Sequence, residues 1–391
     1  MRFLFLLLIF IFTQNGIAQT NLKFEESDYQ SVLKQSKAEQ KPIFIMLYAN
    51  WCPHCTKMKK EVFTNPLVID LLNKNYICTW QDVEKSEGIM LKNKFNTKSL
   101  PAFLFLDSNE TVLYSLKGEY NLTNFILEIK NALDPKKGLP YLEKEFLLDP
   151  SNANKCLEFM TTLKKGKERE ELSKTAHQYL ATQTEDQLIS EINWRVISNG
   201  VTDIKSREFQ FVLQHQKEFE AITSPIRVER KITNIVTELL KPYTENLDTI
   251  SYNKQRQIAK TIQIQKIDSL IFSYDMLIAE RTENWSAYKN ATIESVEKYI
   301  WDNPTLLKAV AQNYLKHIIA PNSLKEAVKW AKRSLELKDT YDGNILISKL
   351  YLKINDKNSA IKYARKSKDI CVSMNWDLKE INQLFIELGI K

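Results

Sequence analysis

The stretch KPIFIMLYANWCPHCTKM, residues 41–58, places an unbroken apolar run directly before two cysteines spaced as Cys-x-x-Cys. Ile43 to Ala49 has the pattern of a buried central strand. A helix is expected to begin at Cys52, where free amide groups and the helix dipole favour a negatively charged sulfur. The thiolate is the form that attacks disulfides. We therefore predict a redox pair, in which Cys52 attacks a disulfide and Cys55 resolves the mixed disulfide, closing a Cys52–Cys55 bond.

Strand-like and helix-like segments alternate on both sides of this stretch. Asn65 and Pro66 predict a helix start, because Asn caps helices and proline suits the first helical position. The order from Ile43 onward reads βαβαββα, which predicts an α/β sandwich. The expected segments are a first helix over 24–37, strands over 43–49, 76–83, 101–107 and 111–118, and helices over 66–75, 87–95 and 121–133.

A change of pattern follows residue 134. Residues 135–140, PKKGLP, hold two prolines and a glycine and predict a linker. Beyond it strand signals nearly vanish, and apolar residues recur at three- and four-residue spacing. Residues 141–391 are therefore expected to form an all-helical region after the α/β domain at 19–134.

The end of the helical region carries a weak repeat. Ala327 and Ala331 recur as Ala360 and Ala364, 33 residues later. This offset is close to the 34-residue period of tetratricopeptide helix pairs, which residues 305–391 resemble. Generic antiparallel helix packing also favours alanine at helix contacts, and the sequence leaves both interpretations open.

The N-terminal residues indicate the compartment, and the overall charge bears on the class of partner. MRFLFLLLIFIFTQNGIAQT has a basic start, an apolar run over 3–12 and small residues at 16 and 18, which predicts a signal peptide over 1–18. A periplasmic or otherwise secreted protein is expected, in a setting where thiols can be oxidised. The net charge of +7 is spread along the chain and does not indicate nucleic-acid binding.

Other uses of the two cysteines fit the sequence less well. A structural zinc site needs four ligands, and no second close cysteine pair exists among the five cysteines. Thr56 stands where c-type haem attachment needs histidine. A structural disulfide is disfavoured, because a two-residue loop at a helix start gives a strained bond. No metal and no cofactor are expected. Cys78, Cys156 and Cys371 are interpreted as buried free thiols, and the sequence leaves open whether Cys156 and Cys371 pair.

Residues 22–134 resemble the thioredoxin superfamily. The similarity rests on Lys41-Pro42, Tyr48-Ala49, Trp51, Glu61-Val62-Phe63, Asn65-Pro66 and Ser99-Leu100-Pro101-Ala102-Phe103. It is greatest for the exported branch that includes the C-terminal domain of membrane-embedded periplasmic thiol:disulfide interchange proteins. The fold class expected is thus an α/β thioredoxin fold followed by an all-α helical domain.

The resemblance implies further site residues. Pro101 would be a cis-proline facing the cysteines, the backbone of Leu100 would pair with an extended substrate peptide, and Trp51 would shape the contact surface. Many thioredoxins carry a buried acid six residues before the first cysteine, but this chain has Met46 there. Proton transfer from Cys55 would then use water or another group, with Glu61 as one candidate.

Pro53 and His54 are expected to tune the redox pair. Cys-Pro-His-Cys is the site sequence of strongly oxidising periplasmic disulfide oxidases, and a histidine there favours the Cys52 thiolate. A more stable reduced form makes the disulfide a better oxidant. The resemblance to reductive carriers points the other way, so the direction of electron flow stays open.

Two hypotheses follow for function. In the first, the protein is an exported thiol–disulfide oxidoreductase acting on cysteine-containing exported proteins, with a membrane redox partner. Its helical region would bind the client, the partner or a second copy of the chain as a homodimer. In the second, the protein is a helical protein-binding scaffold with a vestigial or accessory thioredoxin unit, which the Met46 position favours.

Overall fold

The computed structural model describes residue 22 and residues 28–167 and 169–390. The predicted signal peptide over 1–18 lies outside the described residues. The chain divides into two compact units, of which the first ends at Ser224 and the second begins at Pro225.

A four-stranded mixed sheet forms the core of the N-terminal region. Its strands are β1 (Ile43–Tyr48), β2 (Ile77–Asp82), β3 (Ala102–Leu106) and β4 (Val112–Lys117), in the order β2-β1-β3-β4. β1 pairs in parallel with β2 and antiparallel with β3, and β3 pairs antiparallel with β4. The continuous apolar run predicted the central position of β1 correctly, since Ile43 to Leu47 are all buried.

Five helices flank this sheet. They are α1 (Tyr29–Glu39), α2 (Pro53–Lys57), α3 (Pro66–Asn75), α4 (Ser86–Lys94) and α5 (Leu122–Ala132). A π-helical turn over Met58–Val62 continues α2, and within it the Phe63 amide donates to the Met58 carbonyl at 3.0 Å. Asn65 caps α3, and Pro66 takes its first position, as the sequence predicts. The predicted fold class is confirmed: an α/β domain is followed by a long all-helical region.

Seven further helices complete the first unit. They are α6 (Leu139–Leu148), α7 (Ala153–Gly166), α8 (Arg169–Leu180), α9 (Glu185–Leu188), α10 (Glu191–Gly200), α11 (Arg207–Gln214) and α12 (Gln216–Ile222). Where the sequence predicts a linker over 135–140, the structure has a 3-10 helix over Pro135–Lys137 and the start of α6. Both prolines lie in the first turn of a helix, where the missing amide donor costs nothing.

Helix α7 packs against the edge strand β4. The Lys165 ammonium donates to the Tyr114 hydroxyl at 2.7 Å and to Glu128 Oε2 at 2.8 Å. Lys117 Nζ donates to the Lys167 carbonyl at 2.7 Å. An added Cβ at Gly166 would lie 2.4 Å from the backbone carbon of Ser115, so only glycine fits this contact. The edge of the sheet is thereby covered, which keeps it from pairing with other strands.

The second unit consists of ten helices in the part of the chain that the structure describes. They are α13 (Pro225–Glu245), α14 (Thr249–Ala259), α15 (Gln265–Arg281), α16 (Trp285–Thr292), α17 (Val296–Tyr299), α18 (Pro304–His317), α19 (Pro321–Leu337), α20 (Tyr341–Lys353), α21 (Lys357–Ser373) and α22 (Lys379–Leu388).

The helices from α18 onward pack in sequence, each against the next. The repeated alanines at 327, 331, 360 and 364 are buried. A hydrogen bond also recurs: Ser334 Oγ donates to the Pro304 carbonyl at 2.7 Å, and Ser367 Oγ donates to the Tyr341 carbonyl at 3.1 Å. Pro304 and Tyr341 are the first residues of α18 and α20. Ser334 therefore links α19 to the start of α18, and Ser367 links α21 to the start of α20. The bond thus repeats in the two helix pairs, and the tetratricopeptide-like interpretation of residues 305–391 stays a prediction.

None of the helices described combines the length and the apolar character that crossing a membrane requires.

Candidate active site

Cys52 stands where the loop after β1 becomes helix α2. Its backbone is extended, with φ −80° and ψ 111°, and its amide donates to the Ala49 carbonyl at 3.2 Å. Its sulfur accepts the Cys55 amide hydrogen at 3.2 Å and so serves as the helix N-cap. Pro53 takes the first helical position, where no amide donor is needed. The N-cap geometry directs a helix-end amide at Cys52 Sγ, which favours a negative charge on that sulfur.

Cys55 is buried, as Cys52 is, with 1% of its surface exposed against 3% for Cys52. Burial raises the pKa of its thiol to about 12, and the Cys52 side chain adds to this effect. The structure holds Cys52 and Cys55 as thiols, so its geometry describes the reduced state. Both thiols are buried, and they differ in that Cys52 Sγ accepts a helix-end amide hydrogen, whereas the pKa of the Cys55 thiol is raised.

The Leu100–Pro101 peptide bond is cis. Ala102 opens β3 opposite Leu47 of β1, so Pro101 lies beyond the same end of the sheet from which the Cys52 loop leaves. Pro101 is buried, and its carbonyl accepts the Gly118 amide at 2.8 Å. Leu100 is half-buried and packs against the core cluster. The cis bond is as the resemblance implies, and the substrate contacts of both residues remain a prediction.

Trp51 is the most exposed large side chain beside the cysteines, with 68% of its surface accessible. Its indole Nε1 donates to Glu84 Oε1 at 2.9 Å, which fixes the ring over the loop after β2. An exposed, oriented aromatic ring next to Cys52 suits a contact surface for a partner.

Residues 25–108 match a family model described as thioredoxin-like. This part of the chain is a thioredoxin-like domain. The thiol:disulfide interchange protein DsbD of Yersinia pestis is 34% identical over 107 residues, which are 26% of this chain and 18% of that protein. The thioredoxin-related protein DsbJ of Chlamydia pneumoniae is 26% identical over 99 residues, 23% of this chain and 28% of that protein. The chain thus spans less than a third of the length of either curated relative.

Among solved structures, a putative disulphide-isomerase from Bacteroides thetaiotaomicron is similar to the thioredoxin-like domain. It is 29% identical, with a TM-score of 0.28, and the alignment covers 29% of this chain and 94% of that one.

His54 of the thioredoxin-like domain contacts the carboxylate of Glu119, a residue that the sequence did not single out. His54 Nδ1 lies 2.8 Å from Glu119 Oε2, and Lys57 Nζ lies 2.6 Å from Glu119 Oε1. The hydrogen bond from His54, followed by that from Lys57, lowers the pKa of Glu119. Glu119 follows Gly118, whose φ of +86° turns the chain after β4 and brings the carboxylate to α2. Its distance of 65 residues from His54 in sequence explains why no local pattern could reveal it.

Lys59 is a second site residue that the sequence analysis overlooked. Its ammonium lies 3.1 Å from the centroid of the Tyr48 ring and 4.4 Å from that of the Trp80 ring. Burial lowers the pKa of Lys59, while Cys55 and Asp82 oppose that shift. A signal was present: positions 55, 58, 59 and 62 form one helical face, on which Lys59 is the only charged residue.

Met46 is buried in β1 between its strand neighbours Trp80 and Phe103. The place of the usual buried acid is therefore apolar. Glu61, the helper that the sequence suggested, is exposed. Asp82 at the end of β2 is buried; its Oδ2 accepts from Asn50 Nδ2 at 3.0 Å, and its Oδ1 accepts from the Glu84 amide at 3.0 Å.

The other three cysteines lie in the interior. Cys78, Cys156 and Cys371 are buried free thiols, as the sequence predicts, and burial raises the pKa of Cys78 and of Cys156 to about 12. Within residues 28–167 and 169–390 no three histidine, cysteine or acidic side chains converge as metal ligands.

Proposed function

We propose that this protein is an exported thiol–disulfide oxidoreductase that acts on the cysteines of exported proteins through a mixed disulfide at Cys52. The observation that carries the proposal is Cys52 Sγ at the N-cap of α2, 3.2 Å from the Cys55 amide and one turn from the buried Cys55 thiol. The names of the curated relatives, which describe thiol:disulfide interchange and a thioredoxin-related protein, support the same chemistry. The leader-like residues 1–18 support export to the periplasm or beyond.

The surroundings of the pair support a protein substrate. Trp51 is exposed, and a hydrogen bond holds its ring in one orientation. The cis Leu100–Pro101 segment lies at the same end of the sheet as the loop that carries Cys52. An extended peptide that pairs with the Leu100 backbone would bring its sulfur to Cys52. The helical region, with its tetratricopeptide-like pairs, would bind the client or a membrane redox partner.

The test measures catalysis and potential together. The full chain should reduce insulin in the presence of dithiothreitol, or oxidise a reduced model peptide, and the C52S and C55S variants should each lose this activity. C78A, which removes a buried thiol of β2 outside the redox pair, is the matched control and should keep it. Equal activity of C52S and the wild type would refute the proposal.

Equilibration in glutathione buffers then gives the direction of electron flow. A potential close to or above the glutathione range would make the protein a disulfide donor or isomerase, the outcome expected if His54 stabilises the reduced form. A reduction potential of about −270 mV, as in thioredoxin, would make it a reductase.

The helical scaffold is the second candidate function. The recurring serine-to-carbonyl bonds of Ser334 and Ser367 favour it, because tetratricopeptide-like pairs commonly form concave binding surfaces. A cell that carries only the C52A/C55A variant and grows as well as one with the wild-type protein would favour the scaffold over the oxidoreductase.

A further inference from the structure

We propose that Lys59 supplies the positive charge that stabilises the Cys55 thiolate when Cys55 resolves the mixed disulfide, at a site where Met46 replaces the buried acid of many thioredoxins. The proposal rests on the proposed function, since it concerns the second step of thiol–disulfide exchange at the same pair. It assigns Lys59 as an electrostatic partner of Cys55 that takes no part in bond making.

The chemical step needs such a partner. Cys52 first attacks a substrate disulfide, forming the bond from Cys52 Sγ to one substrate sulfur and releasing the other as a thiol. Cys55 then gives up its proton to water, and its thiolate attacks Cys52 Sγ. The bond between Cys52 and the substrate breaks, the substrate sulfur leaves with the electron pair and takes up a proton by way of water. Two enzyme thiols are oxidised, and one substrate disulfide is reduced to two thiols.

The Cys55 thiol is poorly prepared for this step by itself. It is 1% exposed, and burial raises its pKa to about 12. At neutral pH such a thiol is ionised in roughly one molecule in 10⁵, since each pKa unit is a factor of ten. Met46 supplies neither charge nor proton acceptor at the position before the loop, and Glu61 is exposed.

Lys59 is placed to lower this barrier. It lies four residues after Cys55 on the same inward helical face, half-buried, with its ammonium held over the rings of Tyr48 and Trp80. These rings stabilise a cation without neutralising it. The neighbouring Lys60 is exposed, so of these two lysines only Lys59 lies on the buried side of the helix. The charge of Lys59 lowers the pKa of Cys55 against the effect of burial.

The titratable groups that face Lys59 come from three elements. Cys55 lies on its own helix, Asp82 comes from the end of β2, and the Tyr48 phenol comes from the end of β1. Asp82 accepts hydrogen bonds from Asn50 and from the Glu84 amide, which hold its carboxylate towards the loop before the cysteines. Burial lowers the pKa of Lys59, and Cys55 and Asp82 both act against that shift.

The experiment separates the two steps with dithionitrobenzoate, a small disulfide that requires no client protein. One equivalent added to the reduced full chain releases a first thionitrobenzoate when Cys52 attacks and a second when Cys55 resolves the mixed disulfide. Both releases are followed by absorbance in a stopped-flow instrument. The C55S variant identifies the first release, since its second release should be absent.

We expect K59M to slow the second release about three- to tenfold at pH 7 and to leave the first release unchanged. Removing a neighbouring charge shifts a pKa by about one unit or more. One unit lowers the thiolate fraction tenfold, and the greater nucleophilicity of a more basic thiolate recovers about threefold. K59R, which keeps the charge, should remain within about twofold of the wild type. K60M, the exposed neighbour, is the matched control and should behave as the wild type.

Two results would overturn the proposal: a second release in K59M as fast as in K60M, or a K59R variant as slow as K59M, which would indicate a packing role. Near-UV circular dichroism verifies folding of each variant, and K59Q replaces K59M if the latter does not fold. Absence of the first release in the wild type would instead refute the proposed function, so the two failures are distinguishable.

Discussion

Glu119, in the loop after β4, contacts helix α2 beside the two cysteines. Its two carboxylate oxygens bind His54 and Lys57, both on α2. Each contact is exposed to solvent, so its value is modest and depends on salt. The geometry nevertheless orients the imidazole of His54, and it ties the loop after β4 to the helix that carries the cysteines.

The lowered pKa of Glu119 predicts a pH-dependent contribution to stability. Since the folded-state pKa is below the ordinary value of 4.5, the contribution is complete above that value and is lost as pH falls through the folded-state pKa. Urea unfolding should show E119Q less stable than the wild type at pH 7, with the gap closing towards pH 3. E143Q, which removes an exposed carboxylate of α6, controls for the loss of one charge. A gap that is equal at both pH values would contradict this explanation.

The environments of the cysteines predict an order of alkylation. Burial raises the pKa of Cys55, Cys78 and Cys156 to about 12, so at pH 8 each is ionised in roughly one molecule in 10⁴. Iodoacetamide acts on thiolates, so these three thiols should react slowly, and we expect Cys52, whose sulfur caps α2, to be modified first in the reduced native protein. Peptide mass spectrometry after short labelling measures this, with a urea-unfolded sample as the control in which all sites react. Labelling of Cys55 ahead of Cys52 would exclude the assigned roles.

At the scale of elements, the contact of α7 with β4 fixes how the sheet edge is covered. Gly166 ends α7 against Ser115 of β4, where a Cβ would lie 2.2 Å from the serine Oγ and 2.4 Å from its backbone carbon. The φ of Gly166 is not in the left-handed region, so alanine is conformationally allowed and the close approach alone requires glycine.

We expect G166A to destabilise the protein by about 1–3 kcal/mol, the usual cost of overpacking a tight contact. The higher helix propensity of alanine would by itself act in the opposite direction. Urea unfolding of the full chain measures the change. E158A, an exposed position on the same helix, should stay within about 0.5 kcal/mol of the wild type. A G166A protein as stable as the wild type would show that α7 can move away from β4 at no cost.

The elements of the α/β domain could be predicted from the sequence because each carries a local signal. The apolar run of β1, the Asn65-Pro66 cap of α3 and the cysteines at the start of α2 need no knowledge of distant residues. Glu119 could not be predicted, since its partners are some sixty residues away and only the turn at Gly118 brings them together. The contact between α7 and β4 could not be predicted either, because it depends on tertiary packing that the periodicity and the composition of the sequence do not show.

Lys59 lies between these cases. The helical face of Cys55, Met58 and Val62 includes position 59, so the sequence places a charge on an otherwise apolar face. What the sequence does not show is the pair of rings that receives the ammonium, because Tyr48 and Trp80 come from two different strands. A local anomaly could thus have been noticed, but its partners required the fold.

For the whole molecule, the first compact unit extends well beyond the thioredoxin-like domain and ends at Ser224. Residues 135–140 are helical in large part, and α6 and α7 both pack against β4. The polar cluster of Lys165, Tyr114 and Glu128 joins the two regions and is largely buried. Hydrogen bonds to a charged group at a partly buried position contribute more than exposed ones. The helices up to α12 are therefore expected to stabilise the thioredoxin-like domain.

This expectation predicts different behaviour for two fragments. A fragment of residues 22–134 exposes the β4 edge and the apolar surface that α6 and α7 cover, whereas residues 22–224 keep both covered. Unpaired edge strands favour association, so the shorter fragment should melt at a lower temperature and elute as larger species in size-exclusion chromatography. Circular dichroism melts of both fragments and of the full chain measure the difference, and K165M in the longer fragment tests the polar cluster separately. If residues 22–134 prove monomeric and as stable as residues 22–224, the thioredoxin-like domain is self-sufficient, and the helices of the first unit are not needed for its stability.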